Sequence, residues 1–352
     1  MLKKLGIAAM QTSTRQIILK SRPDGPVSDE HFEVREINLS DPQDGDVLVR
    51  TIYMSLDPYM RGRMGKAKSY AANFEVGKPM VAGCVGEVVI SKNNTFHVGD
   101  IVTGMLDWAD YSIVSARKEL RLVDSKSAPL PYYLGVLGMP GMTAWIGIKE
   151  IGRLKEGETL FVSAASGAVG QIVGQMGRIA GCRVVGCAGS DEKVSYLTDE
   201  LGFDAAFNHR KEMNYLAALQ RCCPDGIDVN FENVGGAMLE AVLEHANDYA
   251  RSIQCGAISQ YNVSKDERYG IQNLEHVHRK RIHMQGFIVT DHWSRFDEFI
   301  AEMAGWLRSA TISYKVNVVD GLENAPAAFM SMLEGGNFGK QIVRIGLEPG
   351  AE

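Results

Sequence analysis

Apolar residues along the first third of the chain come in short runs between Gly, Pro, Asn and Asp: RQIILK from Arg15, FEVREINL from Phe32, DVLVRTIYMSL from Asp46, VAGCVGEVVI from Val81 and DIVTGM from Asp100. Runs of this length, rich in Val, Ile and Tyr and bounded by turn residues, read as strands. In the third run, alternation puts Val47, Val49, Thr51 and Tyr53 on one face of a half-buried strand. From Gln16 to about Ala116 an all-β, barrel-like region is expected.

After Pro129 and Pro131 the pattern changes. A Gly- and Met-rich segment leads into strand candidates separated by helical stretches at βαβ spacing: TLFVSAA from Thr159, CRVVGCAG from Cys182, AAFNH from Ala205, DVNFENV from Asp228, SIQCGAIS from Ser252 and HMQGFIV from His283. Such a series predicts a doubly wound parallel sheet. The helix FDEFIAEMAGWLRSA closes the block, and beyond Ile312 the sequence returns to strand, short helix (LENAPAAFMSMLEG) and a last strand, KQIVRI. This tail is too short for a domain and is expected to fold back onto the first region. The predicted fold is therefore α/β, with a doubly wound Rossmann domain over 131–310 and a discontinuous β-rich domain from 1–130 and 311–352.

Composition narrows the partners. A length of 352 residues fits two domains at roughly 150 each, and 45% apolar content fills a core in both. A net charge of −6 lacks the Lys and Arg excess of a phosphate-binding surface, so nucleic acid is not expected. Six cysteines, none in a C-x-x-C pair and two of them adjacent at Cys222 and Cys223, read as reduced thiols of a cytoplasmic protein. Lys3 and Lys4 precede only LGIAAM, shorter than a signal h-region or a membrane span, so neither export nor a membrane is expected. Translation can start at Met1 or at Met10.

The strongest local motif is AASGAVGQIVGQMGRIAG from Ala164, running from an apolar strand into a helix. A tight strand-to-helix turn aims backbone N–H groups at a pyrophosphate. Gly167 would let the phosphates approach and Gly170 would let the helix pack on the strand, while Ala165 stands where the first glycine of G-x-G-x-x-G is usual. NAD enzymes place Asp or Glu at the end of the next strand to hold the ribose 2′-hydroxyl. Here that end is Ala188, Gly189 and Ser190, and Lys193 follows, suited to a 2′-phosphate. NADP(H) is thus expected over NAD(H). The structural alternative is that Ser190 or Asp191 only caps a helix with Lys193 on its solvated first turn.

The strings SLDPYMRGRM (from Ser55), GMPGMTAW (from Gly138), AASGAVG, GSDEK (from Gly189), FENVGG (from Phe231), CGAISQYN (from Cys255), MQGFIV (from Met284) and NFGKQIVRI (from Asn337) resemble, in order, zinc-independent medium-chain dehydrogenases/reductases of the leukotriene hydroxydehydrogenase/prostaglandin reductase type. Plant alkenal reductases and bacterial curcumin reductases belong to this branch. The resemblance covers nearly the whole chain after Arg15 and implies a GroES-like catalytic domain, NADPH-dependent reduction of the C=C bond of enones and enals, and a homodimer. It assigns Thr143, Gly167, Ala168, Val169 and Lys193 to the phosphate and adenosine parts of the cofactor. Asn233, Cys255, Tyr261, Phe287, Ile288, Val289, Asn337 and Gly339 are assigned to the nicotinamide end. His209 stands where mammalian members carry Tyr near the 2′-phosphate. The zinc members' Gly-His-Glu is here AGCVGEV, with Cys84 and no His, so no metal is expected; His97 and His31 are isolated.

Hydride addition to the β-carbon of an enone places charge on its carbonyl oxygen, which a metal-free site must meet with hydrogen-bond donors. A tyrosine, protonated at neutral pH, can donate a hydrogen bond or a proton. Tyr261, after a strand end, is the first candidate, with the cofactor's ribose 2′-hydroxyl implied by the resemblance as a second donor. Tyr59 in DPYMRG is the other catalytic candidate, placed by the resemblance in the substrate pocket. Either tyrosine is otherwise a wall residue. Arg61 and Arg63 would attract an acidic substrate or pair on the surface. Met54, Met60, Met64, Met139 and Met142 would line an adaptable pocket or fill the core. Two other functions fit the same cofactor site: an NADP-dependent alcohol dehydrogenase or quinone reductase, and a non-catalytic NADPH-binding protein.

Overall fold

The computed structural model describes residues 13–115 and 120–350. Lys3, Lys4, the two candidate start sites and Ala116 lie outside the described residues. Strands β1 (Ser13–Leu19) and β2 (Phe32–Asn38) form an antiparallel ribbon. Strand β3 (Asp46–Ser55) leads through the short helix α1 (Tyr59–Arg63) to β4 (Val81–Ser91), β5 (Ile101–Asp107), β6 (Tyr111–Ser115) and β7 (Arg121–Leu122). These pair antiparallel, β6 against β3 and β7 against β5, and both are short strands that the sequence pattern does not reveal. β3 departs from the expected half-buried strand, because Leu48, Ile52 and Met54 are buried as well. A bulge between Thr51 and Tyr53 breaks the alternation. Val47 and Val49 enter one apolar cluster and Tyr53 another, so the predicted common face is lost.

Helix α2 (Met139–Ile146) carries the chain into the second sheet. There follow β8 (Thr159–Val162), α3 (Gly170–Ile179), β9 (Arg183–Ala188), α4 (Asp191–Ser195), β10 (Ala205–Asn208), α5 (Tyr215–Cys222), β11 (Ile227–Glu232), α6 (Gly236–His245), β12 (Ala246–Gln254), α7 (Glu275–Arg279), β13 (His283–Gly286) and α8 (Phe296–Arg308). The six strands lie in the order β10-β9-β8-β11-β12-β13, all parallel. In chain order this is 3-2-1-4-5-6, the doubly wound Rossmann arrangement, with its switch point between β8 and β11. β12 begins earlier and ends earlier than SIQCGAIS suggests. After Gln254 the N–H groups of Cys255 and Gly256 both donate to the Glu232 carbonyl at 3.0 Å, which turns the chain out of the sheet.

The tail contributes β14 (Val316–Asp320), α9 (Ala325–Leu333) and β15 (Lys340–Arg344). β15 pairs antiparallel with β3, and β14 runs parallel to β15, so the chain's end completes the sheet begun near its start. Phe329 of α9 packs edge-on against the buried Trp108, which stacks on Phe32.

Helix α3 lies unusually low on the parallel sheet. A Cβ on Gly174 would sit 1.9 Å from the Phe203 ring, and one on Gly177 2.5 Å from Leu160 Cδ2. The helix-to-strand packing expected of Gly170 thus falls to Gly177, whereas a Cβ on Gly170 would strike the backbone of Ala164 and Ala165 in the turn, 2.6–2.9 Å away. Gly174→Val is expected to cost about 3 kcal/mol through overpacking, measured as a lowered urea midpoint with an unchanged m-value.

Candidate active site

The turn from β8 into α3 is held by residues far away in sequence. Ala164 takes a left-handed backbone, φ +48°, where the strand breaks. Gly167 forms an isolated parallel bridge with Gly339. Gly339 itself has φ +80°, and a Cβ there would lie 2.2 Å from the Lys315 carbonyl, so no other residue fits. Asn337 Nδ2 donates to the Gly339 carbonyl at 2.7 Å. The buried Tyr314 donates its hydroxyl to the Ala168 carbonyl at 3.1 Å. Gln171 Oε1 accepts from Tyr196 Oη and from Lys315 N, both at 2.9 Å. Val169 precedes the first residue of α3, and Thr143, on α2, donates its hydroxyl to the Met139 carbonyl at 2.8 Å.

At the end of β9 the structure gathers cations. A Cβ on Gly189 would lie 3.3 Å from Arg210 Nε and 3.4 Å from His209 Nε2, so the missing side chain leaves a space that both groups face. Lys193 Nζ donates to the Gly335 carbonyl at 2.8 Å and Arg210 Nη2 to the Glu334 carbonyl at 2.6 Å. Neither pairs with a carboxylate in these contacts. Burial, then the neighbouring Arg210, holds the Lys193 ammonium below its ordinary pKa. Burial, with Arg210 and Lys193, lowers that of His209. Ser190 does cap α4, its hydroxyl accepting from Lys193 N at 3.3 Å, so capping and a cation-lined space coexist. Asp191 is drawn outward by Asn208 and Lys211. Arg210 escaped the sequence reading, although it follows His209 directly.

The opposite end of the crevice lies at the switch point. Asn233 N donates to Ser163 Oγ and its Nδ2 to the Ser163 carbonyl, both at 2.8 Å, tying β8 to β11. Cys255 follows β12, and burial, with the charge of Glu232 adding, pushes its thiol up to about 12. Phe287 and Val289, beyond β13 and on either side of Ile288, pack against the large apolar cluster of this sheet. The Tyr261 hydroxyl accepts from Ala257 N at 3.0 Å. That bond fixes the oxygen and leaves the O–H proton to donate elsewhere. Burial raises the Tyr261 pKa further, so it stays protonated.

Tyr59 opens α1, and burial followed by the charge of Asp57 raises its hydroxyl well above the usual range. The loop is anchored by a buried ion pair: Lys340 Nζ donates to Asp57 Oδ1 and to the Leu56 carbonyl, each at 2.7 Å. Ser55 Oγ donates to the other carboxylate oxygen. Arg61 and Arg63 are not free surface charges. Arg61 is buried, giving Nη2 to the Gly25 carbonyl at 2.6 Å and Nε to Asn262 at 3.3 Å; Arg63 donates to the Ala72 carbonyl and lies over the Phe74 ring. Met54, Met60, Met64 and Met142 are core residues. Tyr70, unnoticed in the sequence, is largely exposed and within electrostatic reach of Tyr261 and Cys255.

His31 is engaged by Ser28, and His97 lies 3.7 Å from Asp100. Among the described residues no group of three or more His, Cys, Asp or Glu side chains is placed to hold a metal ion.

A parallel Rossmann sheet, a glycine-lined turn and a cation-lined space at the second strand define a nucleotide-dependent oxidoreductase. Known proteins agree. A family model described as the N-terminal domain of oxidoreductase matches residues 15–123, and one described as zinc-binding dehydrogenase matches 168–305. The chain is 44% identical to an NADP(+)-dependent 2-alkenal reductase of Nicotiana tabacum, over 97% of this chain and 100% of that protein. It is also 44% identical to the NADPH-dependent curcumin reductase of Escherichia coli (strain K12), over 94% and 96%. The crystal structure of CurA in complex with NADPH from Vibrio vulnificus superposes with a TM-score of 0.90, at 44% identity and covering 95% and 100% of the two chains. The chain belongs to the zinc-independent medium-chain dehydrogenases/reductases of the leukotriene hydroxydehydrogenase/prostaglandin reductase type.

A thiol held near pKa 12 is about one part in ten thousand thiolate at pH 8, against roughly a quarter for an ordinary cysteine. Because a more basic thiolate is also more nucleophilic, Cys255 is expected to react with iodoacetamide about a hundredfold more slowly than free cysteine, followed by mass spectrometry of its peptide.

Proposed function

We propose that the protein reduces the C=C bond of α,β-unsaturated aldehydes and ketones, using NADPH. When bound, NADPH supplies the hydride. The observation that carries the reading is the Tyr261 hydroxyl, held by the Ala257 N–H just past the carboxyl end of β12 and left with a proton to give. Ligands of open α/β sheets bind outside this edge. There Tyr261 donates a hydrogen bond, and finally its proton, to a carbonyl oxygen as negative charge gathers on it during reduction of the β-carbon. Tyr59, on a loop that the Asp57–Lys340 pair keeps in place, would line the substrate pocket. The two curated relatives are named for an alkenal and for curcumin, which supports a conjugated carbonyl as the substrate class.

The residues present fit the cofactor. Gly167 and the N-terminus of α3 suit a pyrophosphate, and Gly170 keeps the turn tight. Gly189, Ser190, Lys193, His209 and Arg210 would receive the 2′-phosphate. Thr143, Ala168 and Val169 would flank the phosphates; Asn233, Cys255, Phe287, Ile288, Val289, Asn337 and Gly339 would surround the nicotinamide. A homodimer is supported by β13, an edge strand whose His283, Gln285 and Gly286 are exposed and free to continue the sheet into a second copy. The cytoplasm is the expected compartment, consistent with free cysteines throughout the described residues. No helix among the described residues is long and apolar enough to cross a membrane.

Tyr261→Phe is expected to lower kcat for enone reduction by about 10² to 10³ while NADPH still binds; an unchanged kcat removes Tyr261 as the essential donor. Mass spectrometry of the product should place the two added hydrogens on the C=C bond rather than on the carbonyl or a quinone. Lys193→Ala and Arg210→Ala should each raise Kd for NADPH roughly tenfold or more and leave that for NADH unchanged.

A further inference from the structure

Glu232, the last residue of β11, is fully buried. Its Oε1 accepts from Ser163 Oγ at 2.9 Å, Val234 N at 2.7 Å and Gly235 N at 2.8 Å, and its Oε2 accepts from Asn230 Nδ2 at 3.2 Å. Every one of these contacts is a donor's and none is a cation's, so the group is held as an acceptor-only carboxylate just ahead of the N-terminus of α6. Burying a charge is costly even when it is hydrogen-bonded. A glutamine would serve the same bonds almost as well. Its Oε1 would accept the same three donors, and its Nε2 would meet a turned-over Asn230 amide, whose Oδ1 has no hydrogen-bond partner among the described residues, a rearrangement that reverses the 2.9 Å contact between Asn230 Nδ2 and Ser252 Oγ. Hydrogen bonding alone therefore does not account for the charge.

The carboxylate stands at the switch point, bonded to Ser163 at the end of β8, where a dinucleotide crosses the sheet. We propose that Glu232 tunes the cofactor electrostatically: its fixed negative charge favours the oxidised, cationic nicotinamide over the reduced, neutral one and so makes bound NADPH a stronger hydride donor. A charge aimed from a dry, preorganised position at one that develops during reaction stabilises it more than water would. Glu232 lies close enough to Cys255 for its charge to add to the burial that raises that thiol. The inference rests on NADPH as the hydride donor.

The test is the pair of dissociation constants for NADP+ and NADPH, measured by fluorescence titration on the full chain. Glu232→Gln is expected to raise the ratio Kd(NADP+)/Kd(NADPH) about tenfold, equal to about 30 mV for a two-electron couple, with the melting temperature retained. Glu232→Asp keeps the charge but draws it back by one methylene, and should raise the ratio in the same direction by less. If E232Q shifts both constants by the same factor, or neither, Glu232 only positions its loop and the proposal fails. Should E232Q not fold, an unchanged ratio in E232D overturns it equally. Absence of binding by either nucleotide to the wild-type protein would instead strike the cofactor reading.

Discussion

The buried ion pair between Asp57 and Lys340 joins the two parts of the site. Lys340 follows Gly339, which bridges to the phosphate turn at Gly167, and Asp57 lies two residues before Tyr59. One contact therefore ties the loop that carries Tyr59 to the segment that bridges to the glycine turn, across nearly the full length of the chain. Such a pair adds little net stability over apolar packing, but removing one member strands the other charge at a cost of about 3–5 kcal/mol. The arrangement specifies position more than it stabilises. Ser55 and the Leu56 carbonyl complete the bonding, so the loop before Tyr59 has little freedom to shift.

A second clamp repeats this logic at the phosphate end. Gln171 and Gln175 are buried in α3 and bond to Ser313 and Lys315 in the crossover to β14, while Tyr314 reaches the Ala168 carbonyl. Lys315 in turn lies over the rings of Tyr196 and Phe338, 3.8 Å from the centroid of the latter. The chain passes between lobes here, with Ser313 and Lys315 bonded to α3 and Tyr314 to the turn before it and to Tyr132. Geometry at the switch point and geometry of the β-rich lobe are thereby linked through a few backbone carbonyls.

Local signals served where function depends on a local rule. The βαβ spacing marks all six parallel strands, most of them short apolar runs next to an amphipathic helix, and the glycine turn follows from the same requirement. The limits have the same origin. CGAIS is apolar enough to pass for strand, whereas its direction is decided by the Glu232 carbonyl. Tyr53 departs from the face that alternation predicts because a bulge depends on the partner strand, not on β3 itself. Gln171, Tyr314 and the Asp57–Lys340 pair were invisible because their partners lie more than a hundred residues away. Arg61 looked like a surface charge until the fold put the Gly25 carbonyl beside it. Tyr261, Lys193 and the glycines stood out through family resemblance as much as through chemistry, and Arg210 was passed over beside the more distinctive His209.

The cysteines bear on how such a protein survives its own chemistry. Five of the six are buried and Cys255 is half-buried; in every one, burial raises the thiol pKa. Conjugated carbonyls are Michael acceptors, and the sulfur that attacks them is the anion. With the sulfurs held protonated, little thiolate is present to add to a soft electrophile, which disfavours thioether formation between substrate and protein. Tolerance of a reactive substrate then follows from where the core places its cysteines.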